Sequence, residues 1–385
     1  MNKLLYKQLL PLLVIIFVFT ELGVRWWPGE PREFVLHADS ETSPTETAAP
    51  RYHQQFISFS ETPVVHAPAI AQRNDGKLIA VWYGGSREGA KNVGIYQTII
   101  DPQNNHALSP PRQITTRLQT QQDSWRYIRK LGNPIIHRLA DGHLMLVYVS
   151  VSYGGWAASS LNIRFSTDDG QTWGAARRLV TSPFLNISTL VKGTPIDFSN
   201  GDIGIPVYHE FFGKFGELLI LDAEGKVKDK RRMSWGRDSI QPVIAALDSR
   251  RAIALLRDSG EVNQRIASSM TTDGGQHWTT PTPLQLPNPN AAIALGRDKR
   301  QALLVVFNND AEERYDMSLA LSTDAGKNWR IVHAFDKGIP EKGKKFEFSY
   351  PYLIRDTQGG FHLVYTWHKK RIKYVHFNQA WLDTL

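Results

Sequence analysis

Three aspartates recur inside one eight-residue pattern. Ser/Thr-x-Asp-x-Gly-x-x-Trp reads as STDDGQTW around Asp168, TTDGGQHW around Asp273 and STDAGKNW around Asp324. Carboxylates at a fixed spacing invite an acid–base reading. The same spacing also builds a strand-turn-strand, in which aspartate accepts turn N–H groups, glycine supplies a positive φ and tryptophan packs the turn down. The interval from Asp168 to Asp273 is about twice that from Asp273 to Asp324, so a further copy is expected near residue 221. There LDAEGKV keeps Asp222 and Gly225 and has lost the tryptophan. Repetition in register favours the turn.

Other side chains offer chemistry singly. His66 and His209 fall at matching places beside apolar strands, where they suit a base and an acid or two satisfied structural histidines. Gln241 and Asn133 suit hydroxyl recognition or hydrogen bonds between sheets, and Trp367 suits ring stacking or packing. GGSREG has no following helix and no Lys-Ser/Thr, which argues against a phosphate-binding loop. No His/Asp/Glu cluster has metal-ligand spacing, so neither metal nor cofactor is expected. The absence of cysteine excludes disulfides, thiolate metal sites and a cysteine nucleophile.

The elements that must position these groups show a second period. HAPAIAQRNDGKLIAVWYGG, GNPIIHRLADGHLMLVYVSV, GTPIDFSNGDIGIPVYHE, IQPVIAALDSRRAIALLRD, PNPNAAIALGRDKRQALLVVFNN and SYPYLIRDTQGGFHLVYTWH each place a proline before an apolar strand, a turn and another apolar strand. The landmark prolines are Pro68, Pro134, Pro195, Pro242, Pro289 and Pro351. Alternating β-branched and aromatic residues broken by DG, NG or GG read as hairpins. With 29 Gly, 21 Pro, 11 Trp, 13 Tyr and 17 Phe in 385 residues, short strands are favoured over long helices. Six such units predict an all-β, six-bladed β-propeller over residues 53–385. HQQFISFS, starting at His53, is expected to supply the strand that closes the ring with the C-terminal blade. The net charge of +8 is dispersed along the chain, so no nucleic-acid partner is expected.

The N-terminus reads differently. Leu9–Thr20 is an apolar run behind Lys3 and Lys7, the layout of a signal anchor or signal peptide over residues 1–27. Glu21, Arg25 and Trp26-Trp27 follow in place of a small-residue cleavage site, which favours an uncleaved membrane-anchor helix. Residues 28–52 are rich in Pro, Ser, Thr and Glu and read as a disordered tether. The expectation is a monomer exported to the periplasm or cell exterior and held at the membrane.

The Asp-box copies between blade hairpins resemble the sialidase (neuraminidase) superfamily with its BNR repeats. WYGGSREG, LPNPN and FSYPYLIRDTQGGFHLVYTWHKKRIKYVHF look like its "predicted neuraminidase" branch. The resemblance covers roughly residues 60 to 378. It implies structural Asp-boxes, a site on the propeller axis and an acidic sugar whose carboxylate is clamped by arginines. Arg257 falls where the second arginine of that clamp belongs and Arg314 where the third does. The first is missing: that stretch reads His66-Ala67-Pro68, leaving Arg87 as a partial replacement. Tyr350 matches the nucleophile. Gln241 stands where a glutamate normally activates it, and Asn92 lies nearest the place of the general acid, with Glu88 the nearest carboxylate. The resemblance therefore implies a glycosidase of exo-α-sialidase type, with Tyr350, Glu88 and His66 at the reacting bond and Arg87, Arg257, Arg314, Gln241, His209 and Trp367 binding substrate. Two alternatives are a polysaccharide lyase, in which His66 or Tyr350 removes the proton α to a uronate carboxylate, and a glycan-binding propeller without catalysis.

Overall fold

The computed structural model describes residues 11–13, 32–36, 49–182, 186–234, 236, 238–260, 263–338 and 347–385. Six antiparallel sheets of four or five strands follow one another along the chain. The first blade is Val64–Gln72, Leu78–Gly85 and Gly94–Asp101 with two short outer strands, and the second opens on Lys130–Arg138, Leu144–Val151 and Ser159–Ser166. The third to fifth blades have second strands Ile203–His209, Ala252–Asp258 and Leu303–Phe307. Phe348–Arg355, Phe361–Trp367 and Arg371–Phe377 make the sixth, and the N-terminal strand Tyr52–Phe56 completes it by pairing Tyr52 with Phe377 and Phe56 with Lys373. The ring closes through that strand, as the sequence predicts.

Second strands such as Leu78–Gly85 and Leu144–Val151 are buried at every position. Each is covered on both faces by neighbouring sheets, which is why its sequence is a continuous apolar run. Several landmark prolines mark a bulge. The register shifts between His66 and Ala69, between Ile240 and Val243, and between Ser349 and Tyr352. The residue before each proline is left-handed, with φ of 49° at Ala67, 48° at Gln241 and 56° at Tyr350. Proline has no N–H to lose from the ladder, so the bulge is tolerated there. Left-handed non-glycine residues cost about 1–3 kcal/mol each and persist where packing over-determines them. Pro134 also marks a register shift, after Gly132, but Asn133 before it is not left-handed, and Pro195 and Pro289 behave otherwise. Pro195 lies in the break between Leu190–Val191 and Ile196–Asp197, where Gly193 is pressed against the Pro242 carbonyl; a side chain there would collide with it. Pro289 sits in a loop closed by Asn288 and Ala291, ahead of the inner strand Ala294–Arg297.

The Asp-boxes occupy turns between third and fourth strands. Asp168 accepts from Thr172 N at 2.8 Å and from Ser166 Oγ at 2.8 Å, and Asp324 repeats this with Asn328 and Ser322. These hydrogen bonds, that from the Thr172 hydroxyl foremost, hold Asp168 down to about 2. The degraded copy keeps its turn, with Lys226 N donating to Asp222 at 2.7 Å.

Part of the segment read as a disordered tether is instead packed onto the ring. Phe34 is buried, stacks on Phe198 with centroids 5.2 Å apart, and donates its N–H to Ser249 O at 2.7 Å. Arg32 pairs with Asp202 at 3.1 Å. An apolar residue within a polar stretch had a partner surface on the third and fourth blades, which outweighs the entropy of ordering five residues. Apart from Pro11, Leu12 and Leu13, the expected anchor lies outside the described residues. Among the described residues no helix is long and apolar enough to cross a membrane.

Candidate active site

The starts of the inner strands and the ends of the second strands meet on the ring face opposite the Asp-box turns. Arg257 ends the fourth blade's second strand, paired with Ile240 beside the Gln241 bulge. Its guanidinium donates from Nε to Asn290 Oδ1 at 2.8 Å and from an Nη to Gln241 Oε1 at 2.9 Å. Gln241 in turn donates to the Tyr208 hydroxyl at 3.1 Å. Both groups holding Arg257 are neutral amides, and no ion pair to it forms among the described residues. The cation is fixed in direction and keeps its charge for something else.

Arg314 is different. It donates to Glu347 Oε1 at 3.0 Å and to the Asn290 carbonyl at 2.6 Å. Asn290 thus holds both arginines. Glu347 also pairs with Lys369 at 3.2 Å, and Lys369 reaches Glu88 at 3.6 Å on the rim. Burial alone would raise the Glu347 pKa, but His66, Arg314 and Lys369 hold it below the ordinary carboxylate range.

Tyr350 meets the His66 ring edge to face, with centroids 4.5 Å apart. His66 is 2% exposed, shares a hydrogen bond of 3.0 Å between Nδ1 and Thr366 Oγ1, and packs on Tyr83 at 5.6 Å. Burial pushes its pKa down to about 3, so it is a neutral ring at physiological pH. It packs on Tyr350, and burial makes it a weak base. Burial likewise raises Tyr83 and Tyr208 far above the ordinary phenol range, so both keep their protons.

The remaining sequence candidates are spread around this centre. Arg87 is exposed in the loop after Gly85, with its carbonyl accepting from Ala90 N at 3.1 Å. Asn92 closes the same loop by accepting from Ser86 N and Oγ. His209 stacks on Phe215 at 4.7 Å and accepts from Phe212 N, which shapes the loop after its strand. Trp367 packs edge to face on Phe56 at 5.2 Å and on His368 at 3.9 Å. Asn133 donates to the Val191 carbonyl and so ties the second blade to the third.

Sequence reasoning missed several participants. Glu210, directly after His209, acts electrostatically on Tyr208 together with Tyr350 and Arg257; burial raises its pKa against the pull of Arg257 and Lys214. Its signal was its position directly after the strand Ile203–His209, two residues beyond Tyr208, which takes the place of Tyr83 in WYGG and Arg257 in LLRD. Lys192 is wholly buried and crosses the ring from the third blade to donate to the Pro351 carbonyl at 2.7 Å. Burial brings its pKa down to about 7. Among the described residues no group of three or more His, Cys, Asp or Glu side chains is placed to hold a metal ion.

Together the ring, its Asp-boxes and its axial arginines define a propeller of the sialidase superfamily. Residues 76–363 match the BNR repeat-like domain family, and the chain belongs to it. No curated protein sequence matches the chain. Among solved structures it is similar to a protein of unknown function from Dyadobacter fermentans, at TM-score 0.66 and 13% identity over 84% of this chain and 97% of that one. The NanB sialidase of Streptococcus pneumoniae superposes at TM-score 0.64 and 10% identity, over 84% of this chain and 70% of that one. The α-L-arabinanase of Penicillium chrysogenum gives 0.61 and 12%, over 86% of this chain and 99% of that one. At such identities the likeness is one of fold.

Proposed function

We propose that the chain is a glycosidase of sialidase type that acts on an acidic glycan. One observation carries the reading: Arg257 is held by two neutral amide oxygens and forms no ion pair among the described residues, which leaves its cation available to an anionic ligand. A sugar carboxylate is the complementary ligand. In this reading the Tyr350 phenolic oxygen bonds to the anomeric carbon as the bond to the leaving oxygen breaks. The phenol proton passes to Glu347, the carboxylate kept ionised by Arg314 and Lys369. Glu210, protonated more readily because it is buried, gives its proton to the leaving oxygen. Water then cleaves the tyrosyl-sugar bond, with Glu210 taking back a proton and Tyr350 regaining its own from Glu347. Export fits the same reading, and the basic-then-apolar N-terminus supports a membrane-held position facing the periplasm or exterior.

Incubation with sialosides and with uronate-containing polysaccharides tests it. Release of free sialic acid is expected. Ultraviolet-absorbing unsaturated ends would show a lyase instead, and binding without product would show a glycan-binding propeller.

A further inference from the structure

On the same face as the axial site, the second blade carries aromatic side chains that the core does not use. Trp125 is 97% exposed, Tyr153 73% and Tyr127 43%. Tyr127 and Tyr153 come from two different loops, yet their rings lie 5.4 Å apart. One loop leads into the inner strand Lys130–Arg138 and the other joins Leu144–Val151 to Ser159–Ser166, so both open on the site face. Trp125 directly follows the helix Arg117–Ser124 in the left-handed conformation, at φ 50°. That position favours glycine. Neither backbone preference nor burial accounts for a tryptophan there.

Gln121, Gln122, Trp125, Arg126 and Tyr127 line an open groove of about 520 Å³. Its chemistry is mixed, with flat π-faces alternating with amide and guanidinium donors. A pyranose ring presents the matching pair of surfaces, an apolar C–H face and a rim of hydroxyls. The loop that bears Tyr153 is also linked to the ion-pair chain of the site. Lys130 lies 3.8 Å over the ring of Trp156, in the loop that bears Tyr153, and Glu88 acts electrostatically on Lys130. Glu88 in turn faces Lys369 of the central ion-pair chain at 3.6 Å.

We infer that this groove binds the uncharged sugar units that follow the acidic terminal residue, making the chain selective for oligosaccharides over small glycosides. The inference rests on the proposed function for the identity of the acidic residue in the axial site. The test compares KM for two glycosides of the same acidic sugar, one with a methyl aglycone and one with a neutral trisaccharide. Trp125→Ala and Tyr127→Ala should each raise KM for the longer substrate about tenfold, the scale of one lost stacking contact, and leave the methyl glycoside unchanged. Trp125→Phe should restore most of the difference. An equal change on both substrates, or none on either, overturns the groove. If neither glycoside is cleaved, the functional reading fails while the groove is still tested by calorimetry with a neutral tetrasaccharide. Binding by wild type that Trp125→Ala abolishes supports the groove. Absence of binding overturns it, as does binding of phosphatidylcholine vesicles in place of sugar.

Discussion

Asn290 donates nothing to Arg257; it accepts, with Oδ1 2.8 Å from the guanidinium Nε. The same residue, left-handed at φ 51°, turns its carbonyl to Arg314. One neutral side chain therefore aims Arg257 without cancelling it, whereas Arg314 is neutralised by Glu347. Of the two arginines expected to act as equals, one is poised for an anion and the other holds the scaffold of the site.

That relationship makes Asn290→Asp informative. The new carboxylate would ion-pair with Arg257 in nearly the same geometry, and Asn290 is exposed enough to tolerate the change. Affinity for an acidic sugar, measured by calorimetry, should fall at least about tenfold, the scale of a charge-assisted hydrogen bond lost to competition. The melting temperature should stay near that of wild type.

Glu210 is the predicted proton donor. A donor must be protonated, so rate should fall as pH rises through the raised Glu210 pKa. Glu210→Gln should lower turnover of a poorly activated glycoside roughly 10²-fold or more. An aryl glycoside, whose leaving group needs no proton, should be affected far less, and the alkaline limb seen with the poorly activated glycoside should be lost in the variant. Equal losses on both substrates would remove Glu210 from the chemistry.

Acid should loosen the closure of the ring. His53 and His106 stack with centroids 3.9 Å apart, His106 and His376 share a hydrogen bond of 2.9 Å, and His362 stacks on His376 at 4.6 Å while bonding Asp356. Burial and neighbouring histidines push His106 down to about 4 and His376 down to about 3. The unfolded chain takes up these protons near pH 6.5, before the folded one does. Stability is therefore unaffected above that pH and falls progressively as pH drops from about 6.5 towards 4. Thermal melts across this range should show the fall, and His376→Gln should flatten it.

The docked N-terminal segment predicts a structural effect alone. Phe34→Ala should destabilise the ring by about 3 kcal/mol, as expected for a buried aromatic, with activity of the folded fraction unchanged. Denaturant midpoints and turnover per folded molecule separate the two.

Much of the ring was legible because each blade repeats the same local physics. Prolines sit at bulges whose ladder lacks a donor, glycines at positive φ, and Asp-box side chains bond their own turns. Arg257 and Tyr350 could be located because they lie near the ends of repeated strands, and Arg314 because it falls two residues before one. What failed depended on closure between distant segments. Glu347 is identified only once Arg314 and Lys369 converge on it. The burial of His66 shows only once the first and sixth blades close on it. Lys192 shows its role only across the axis, and Phe34 lies in a stretch whose composition is otherwise that of a linker.

The central claim is that Arg257 binds a sugar carboxylate at the axis. Calorimetric titration of wild type and Arg257→Ala with an acidic sugar and with its methyl ester tests it most directly. The account predicts binding of the acid to wild type, with about tenfold or greater weakening on either esterification or substitution and no further loss when both are combined. Equal affinity of wild type and Arg257→Ala for the free acid would contradict it.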